Sequence, residues 1–261
     1  MGRVITFANE KGGVGKTSAV FDTAFGLASR GNKVLLIDMD PQTNLTKTCG
    51  TELNEGKTIF ACINGIASFE STIVKVKDNL DLLPGSRKMQ PQYFIGAEDI
   101  YILKEVIKYI YEYKSYDYIV IDVGPSPGTL LTMSLLASDY FVAVAPLAKY
   151  AYEGVVQMCA DVNACKKHYN GFNARPLGIL INHLSRRTNV GTVNYDKFTN
   201  LTDEFGAEIF NTQIPMSCKM DECKEFHLAV QEYSPKEKIS QAYKSFVDEL
   251  LNRIKVIEKG D

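Results

Sequence analysis

Asn9-Glu10-Lys11-Gly12-Gly13-Val14-Gly15-Lys16-Thr17-Ser18 follows directly on the apolar run Val4-Ile5-Thr6-Phe7-Ala8. A strand that breaks into glycines, then Gly-Lys-Thr, then a helical pattern is the layout of a phosphate-binding loop. Glycines let the backbone curl so that successive N–H groups point inward at phosphate oxygens. The helix that follows adds its positive N-terminal end. In such a loop Lys16 reaches the β- and γ-phosphates, and the Thr17 hydroxyl holds Mg²⁺. The competing reading is an ordinary strand-to-helix turn with Lys11 as a solvated charge.

The loop departs from the general pattern in one place. Glycine is called for five positions before Gly15, and Glu10 stands there instead. The loop also carries a second lysine, Lys11, ahead of its glycine pair. A further cation in a phosphate loop implies an anion for it to meet.

Two other segments supply carboxylates. Val34-Leu35-Leu36-Ile37-Asp38-Met39-Asp40-Pro41-Gln42 reads as a buried strand ending in Asp-x-Asp. Its carboxyl end is where ligands of open α/β sheets bind. Strand alternation predicts that Asp38 and Asp40 point the same way, toward the metal–phosphate region. Asp40 before Pro41 also suits a cap on the next helix. Asp117-Tyr118-Ile119-Val120-Ile121-Asp122 is a second buried strand ending in an aspartate, the pattern of a Walker B carboxylate.

Lys11-Gly12-Gly13-Val14-Gly15-Lys16-Thr17 resembles the deviant Walker A loop of the ParA/MinD superfamily of ATPases, and Glu10 resembles its ParA-type branch. The resemblance implies ATP and Mg²⁺ as cofactors, with residues 12–18 around the phosphates. Lys11, Lys16 and Asp40 would be catalytic: Lys11 reaches across to a partner subunit's nucleotide, and Asp40 positions the attacking water. Thr17, Asp38 and Asp122 would serve the metal. Asn182 and the stretch around Pro215 would touch adenine, although Asn182 also suits a plain strand-end turn. Asn182-His183-Leu184 lacks the Asn-Lys-x-Asp signature of a guanine site, which favours ATP. Val123-Gly124-Pro125 replaces the family's usual Thr-Pro-Pro, and the likeness frays beyond Pro215.

Short β-rich runs alternate with longer helical patterns, which predicts a mostly parallel twisted sheet with helices on both faces, the P-loop NTPase fold of the α/β class. The predicted strands are Arg3–Ala8, Lys33–Ile37, Leu80–Leu83, Tyr118–Asp122, Tyr140–Ala145, Leu177–Ile181 and Glu208–Phe210. The predicted helices are Lys16–Ser29, Ala97–Tyr113, Leu130–Ala137, Gly154–Tyr169, Tyr195–Phe205 and Glu237–Ile257. Thr51–Asp78 is weakly periodic and reads as one or two short rim helices. The 261 residues, 45% hydrophobic and 23% charged, are expected to form one ATPase domain over 1–261, with no helix-turn-helix before the strand at residue 3.

No apolar run is long enough to span a bilayer and no signal-peptide layout is present, so a cytoplasmic protein is expected. A net charge of −2 does not advertise nucleic-acid binding, although a local patch can hide in a balanced total. The six cysteines show no C-x-x-C pairing and read as reduced.

The resemblance implies a DNA-segregation ATPase: an ATP-sandwich homodimer, nucleoid-associated through nonspecific DNA, and stimulated by a ParB-like centromere-binding partner. Arg186, Arg187, Lys219, Lys224 and Arg253 are its candidate phosphate contacts, each of which also reads as a solvated charge. The alternative is a MinD-like membrane-cycling ATPase, which needs a basic amphipathic tail. Tyr243, Phe246, Leu250, Ile254 and Ile257 do form an apolar stripe, but the helix is charge-balanced and reads as packed on the sheet, with no membrane partner. A nitrogenase-iron-protein-like redox role lacks its cysteine, since none follows Asp122 until Cys159.

Overall fold

A computed structural model describes residues 2–94, 96, 98–183 and 198–260. The chain begins β1 (Arg3–Ala8), α1 (Lys16–Ala28), β2 (Val34–Asp38), α2 (Asn44–Thr48), α3 (Ile59–Ile63), α4 (Phe69–Thr72), β3 (Val74–Lys77) and β4 (Leu80–Leu83). It continues α5 (Ile102–Tyr113), β5 (Tyr118–Asp122), α6 (Thr129–Leu136), β6 (Tyr140–Ala145), α7 (Lys149–His168) and β7 (Arg175–Ile181). Short helices Thr202–Phe205, Lys219–Glu225 and Val230–Tyr233 precede the long helix Lys238–Lys259.

The strands form one sheet in the order β3-β4-β2-β5-β1-β6-β7, parallel except for the β3–β4 pair. This is the P-loop NTPase architecture expected from the alternating pattern. Alternate strand residues feed opposite cores, because successive side chains leave a strand on opposite faces. Ile5, Phe7, Leu36 and Val120 pack under α1 and helix Lys238–Lys259, while Leu35, Ile37, Ile119 and Ile121 pack against α5, α6 and α7. Burial on both faces explains why the strands read as nearly unbroken apolar runs.

The register places the functional carboxylates. Asp122 lies opposite Asp38 on one side and Phe7 on the other, so β1, β5 and β2 end together at the sheet's carboxyl edge. Glu208–Phe210 forms no full strand: Ile209 makes an isolated parallel bridge with Ile179. Phe210 N and Ile214 N then donate to the Ile179 and Ile181 carbonyls, which carries Pro215 to that same edge.

Three further elements differ from the sequence expectations. β3 is an unforeseen antiparallel edge strand within Thr51–Asp78, beside the two short helices α3 and α4. α5 is shorter than predicted, being preceded by a 3₁₀ turn at Asp99–Tyr101. α7 starts five residues before Gly154; a Cβ on that glycine would lie 2.5 Å from Asn9 Oδ1, so Gly154 lets the phosphate loop approach the helix. Residues 195–197 of the predicted helix Tyr195–Phe205 lie outside the described residues.

The apolar stripe of helix Lys238–Lys259 is spent on the core: Tyr243, Phe246, Leu250 and Ile254 are all buried. No helix among the described residues is long and apolar enough to cross a membrane.

One buried acid ties α1 to the later helices. Asp22 accepts Val230 N at 2.9 Å, and its own carbonyl accepts Gln231 Nε2 at 2.6 Å. Burial pushes its carboxyl up to about 7, against the pull of these donors. The folded state therefore holds a proton that the unfolded chain has already lost, and stability falls as pH rises from the ordinary aspartate range toward 7. Asp22→Asn should be nearly neutral at pH 5 and raise the melting temperature relative to wild type at pH 8. An equal offset at both pH values in thermal melts would sink this assignment.

Candidate functional site

The loop between β1 and α1 is built as the glycines require. Gly13 (φ 74°) and Gly15 (φ 83°) adopt left-handed conformations that residues with a Cβ rarely take. Asn9 anchors the loop: its Nδ2 donates to Val144 O at 2.8 Å, and its Oδ1 accepts Lys11 N at 2.8 Å. Lys16 folds back so that Nζ donates to the Asn9 carbonyl at 2.9 Å and the Lys11 carbonyl at 3.2 Å. Burial lowers its pKa, while Asp122 and Asp40 favour its charged form.

Gly12–Ser18 line a cleft of about 630 Å³, and its other walls come from distant segments. Asp40, Gln42 and Lys47 flank one side; Asn182, His183, Pro215, Met220 and Lys224 flank the other. The cleft thus opens where the strands end, at the edge set by the register of β1, β5 and β2.

Thr17 Oγ1 donates to Asp122 Oδ2 at 2.7 Å. The other carboxylate oxygen, Oδ1, is buried and has no hydrogen-bond partner among the described residues. Burial and the nearby Asp38 carboxylate drive the Asp122 pKa upward, against the Thr17 hydroxyl and Lys16. A hydroxyl beside a carboxylate with an orphaned oxygen is a hard oxygen donor set that suits Mg²⁺.

Asp38 and Asp40 do not share a direction. The strand stops at Asp38, and a turn follows in which Asp40 Oδ1 accepts Gln42 N at 2.9 Å. Asp38 is fully buried: Oδ2 accepts both the amide and the hydroxyl of Thr46, at 2.8 and 2.6 Å, and Oδ1 accepts Asp40 N at 3.1 Å. Asp38 therefore fixes the turn that presents Asp40, and only Asp40 of the two lines the cleft. Thr43, not Asp40, stands at the N-cap position of α2, and its side chain makes no capping hydrogen bond.

Asn182 is buried beneath the loop, where its Nδ2 donates to the Val14 carbonyl at 2.9 Å. Its Oδ1 accepts His183 N at 2.9 Å. Pro215 faces the cleft. His183 was not singled out in the sequence; its place directly after Asn182 at a strand end is the only signal there.

The predicted phosphate contacts fare unevenly. Arg186 and Arg187 lie outside the described residues. Arg253 is a correction: its guanidinium donates to the Leu177, Glu208 and Ile209 carbonyls at 2.7–2.8 Å, pairs with Glu249 and lies 4.0 Å from the Phe210 ring centre. It holds the segment beside β7 in place, which periodicity cannot reveal. Lys219 pairs with Glu222 and Lys224 with Asp221 on their own helix, and Lys224 faces the cleft.

The site's layout agrees with its kinship. Residues 2–173 match the AAA_31 family of AAA domains. The chain belongs to that family. The sporulation initiation inhibitor protein Soj of Bacillus subtilis is 29% identical over 263 residues, covering 96% of this chain and 98% of that protein. The chromosome partitioning protein ParA of Caulobacter vibrioides is 28% identical over 260 residues, covering 96% and 94%. These relatives make the chain a ParA-type member, as its loop suggested. A solved structure of cobyrinic acid a,c-diamide synthase from Mycobacterium smegmatis with bound ADP and magnesium is 25% identical, with a TM-score of 0.80 over 98% of this chain and 96% of that one. ParA-type partition proteins and a synthase thus share one scaffold, and the residues of the site, not the fold, set the use.

Proposed function

We propose that this chain binds Mg·ATP in the glycine-loop cleft, hydrolyses it slowly, and serves as a DNA-partition ATPase in the cytoplasm. The observation that carries the reading is that Lys16, Thr17 and Asp40 line one cleft, with Asp122 buried behind it and bonded to Thr17. The partition relatives and the ADP- and magnesium-bound neighbour support it.

Phosphoryl transfer asks a protein mainly for positioning and charge neutralisation. Lys16 exchanges its two backbone carbonyl partners for phosphate oxygens. Thr17 and Asp122 would hold Mg²⁺, which would supply neutralisation of charge on the phosphoryl oxygens. Asp40, presented by the turn that Asp38 and Thr46 fix, orients the attacking water and accepts its proton. Lys11 acts across a sandwich of two copies, so each active site is completed by the other subunit. The ATP-bound dimer holds nonspecific DNA, and a ParB-like partner triggers hydrolysis and release.

The test is size in solution for Asp40→Ala. With ADP the variant should run as a monomer, and with ATP as a trapped dimer. A monomer under both conditions would sink the sandwich.

A further inference from the structure

β2 lies between β4 and β5 in the sheet, with Ile37 opposite Leu83 and Asp38 opposite Asp122. The segments that follow β4 and β5 therefore leave the sheet on either side of the turn that carries Asp40. Each has a glycine two residues past its strand, pressed against that turn. A Cβ on Gly85 would lie 2.8 Å from Asp38 Cγ and 3.0 Å from the Asp38 carbonyl oxygen. A Cβ on Gly124 would lie 3.1 Å from Asp40 Oδ1 and 3.3 Å from Asp40 Cγ. Neither glycine has a left-handed backbone, so conformation does not call for glycine at these positions; the space taken by the two carboxylates does.

The β4 side is also bonded to the turn. Gly85 N donates to Thr46 Oγ1 at 2.9 Å, and the same hydroxyl donates onward to Asp38 Oδ2. That side is itself pinned, because the Ser86 hydroxyl and the Arg87 amide both donate to the Glu55 carboxylate. Thr46, Ser86 and Asp38 are fully buried and Asp40 is nearly so. A hydroxyl that accepts one bond and donates another in a dry site is oriented by both partners. On the β5 side the contact is steric: Gly124 abuts the Asp40 oxygen that accepts Gln42 N. Gly85, Thr46 and Gly124 do not line the cleft.

We infer that Gly85, Thr46 and Gly124 form a clamp that positions Asp40 for the hydrolytic step without touching the nucleotide. The inference rests on the reading of Asp40 as the group that orients the attacking water. Such a group must be held closely, since a misplacement of about 1 Å can cost roughly a hundredfold in rate. A methyl added at Gly124 would displace the Asp40 carboxylate by less than that. Removing the Thr46 hydroxyl would leave the Gly85 amide unpaired and loosen Asp38, and through it the turn.

Single-turnover ATP hydrolysis and ADP calorimetry separate positioning from binding. Gly124→Ala and Thr46→Val should each slow hydrolysis about tenfold while ADP affinity holds. Thr46→Ser, which keeps the hydroxyl, should recover most of the Thr46→Val loss. The deciding measurement pairs each variant with Asp40→Ala: residues that act as a unit are not additive, so neither should slow Asp40→Ala any further. Should Thr46→Val melt below the assay temperature, Gly124→Ala carries the test, because Gly124 is only half-buried. A wild-type rate in a folded variant, a parallel loss of ADP affinity, or a further loss in the Asp40→Ala background would overturn the clamp alone. Asp40→Ala hydrolysing at the wild-type rate would overturn the reading of Asp40 and the clamp with it.

Discussion

Replacing Lys16 by alanine is expected to abolish measurable nucleotide binding. The Lys16 side chain is buried, its ammonium is held by the Asn9 and Lys11 carbonyls, and its charge interacts with Asp122 and Asp40. Two effects add. The phosphates lose the one cation that the loop itself directs into its own cradle. The Asp122 and Asp40 carboxylates also lose their compensating charge, so bringing a triphosphate to them becomes still less favourable. Removing one partner from a buried charge cluster typically costs about 2–5 kcal/mol, or roughly 30- to 5,000-fold in affinity. Calorimetry with ADP reads this directly, and ADP affinity within threefold of wild type would refute the assignment. The fold should survive, since the β1–β5–β2 core does not depend on this side chain.

Gly15→Ala should be the most damaging single methyl in the loop. Its φ of 83° already costs an L-residue roughly 1–2 kcal/mol. The new Cβ would also lie 2.3 Å from Asn182 Nδ2 and 2.8 Å from His183 Nε2. Asn182 is 1% exposed and bound to the Val14 carbonyl, so it has little room to yield. Loss of that hydrogen bond, on top of the backbone cost, puts the expected destabilisation at about 2–4 kcal/mol. Gly13 is the internal control: it too is left-handed (φ 74°), but nothing lies within 4 Å of a Cβ there. Gly13→Ala should lose only the backbone term. Urea unfolding of the two apo variants compares them, and equal destabilisation would show that Asn182 does not brace the loop.

The parts that the amino-acid order made legible are those governed by local rules. Gly-Lys-Thr after an apolar strand, and aspartates closing β2 and β5, carry their meaning in the backbone geometry that those residue types need. What escaped depended on partners far away in sequence. Val74–Lys77 alternates lysine with valine and is only half-buried, so it becomes a strand because Leu80–Leu83 is there to pair with it. Asp38 looked equivalent to Asp40 until Thr46, in the helix beyond the turn, claimed its carboxylate. Arg253 carried the composition of a surface cation, yet three carbonyls and a ring enclose it. Gly154 looked like a helix start, but it is a glycine inside α7 where another loop needs the space.

The position of β1 has a bearing on how the molecule is made. This strand precedes both of its sheet neighbours in the chain and is one of the most central, hydrogen-bonded to β5 on one side and β6 on the other. It has no sheet partner until residues 118–122 and 140–145 have been synthesised, so its pairings are all long-range and slow to close. The cleft waits longer still, for Asn182, Pro215 and helix Lys219–Glu225. Nucleotide capture is therefore a late event in the biogenesis of this chain, and a fluorescent nucleotide would report the docking of the last third rather than the collapse of the first.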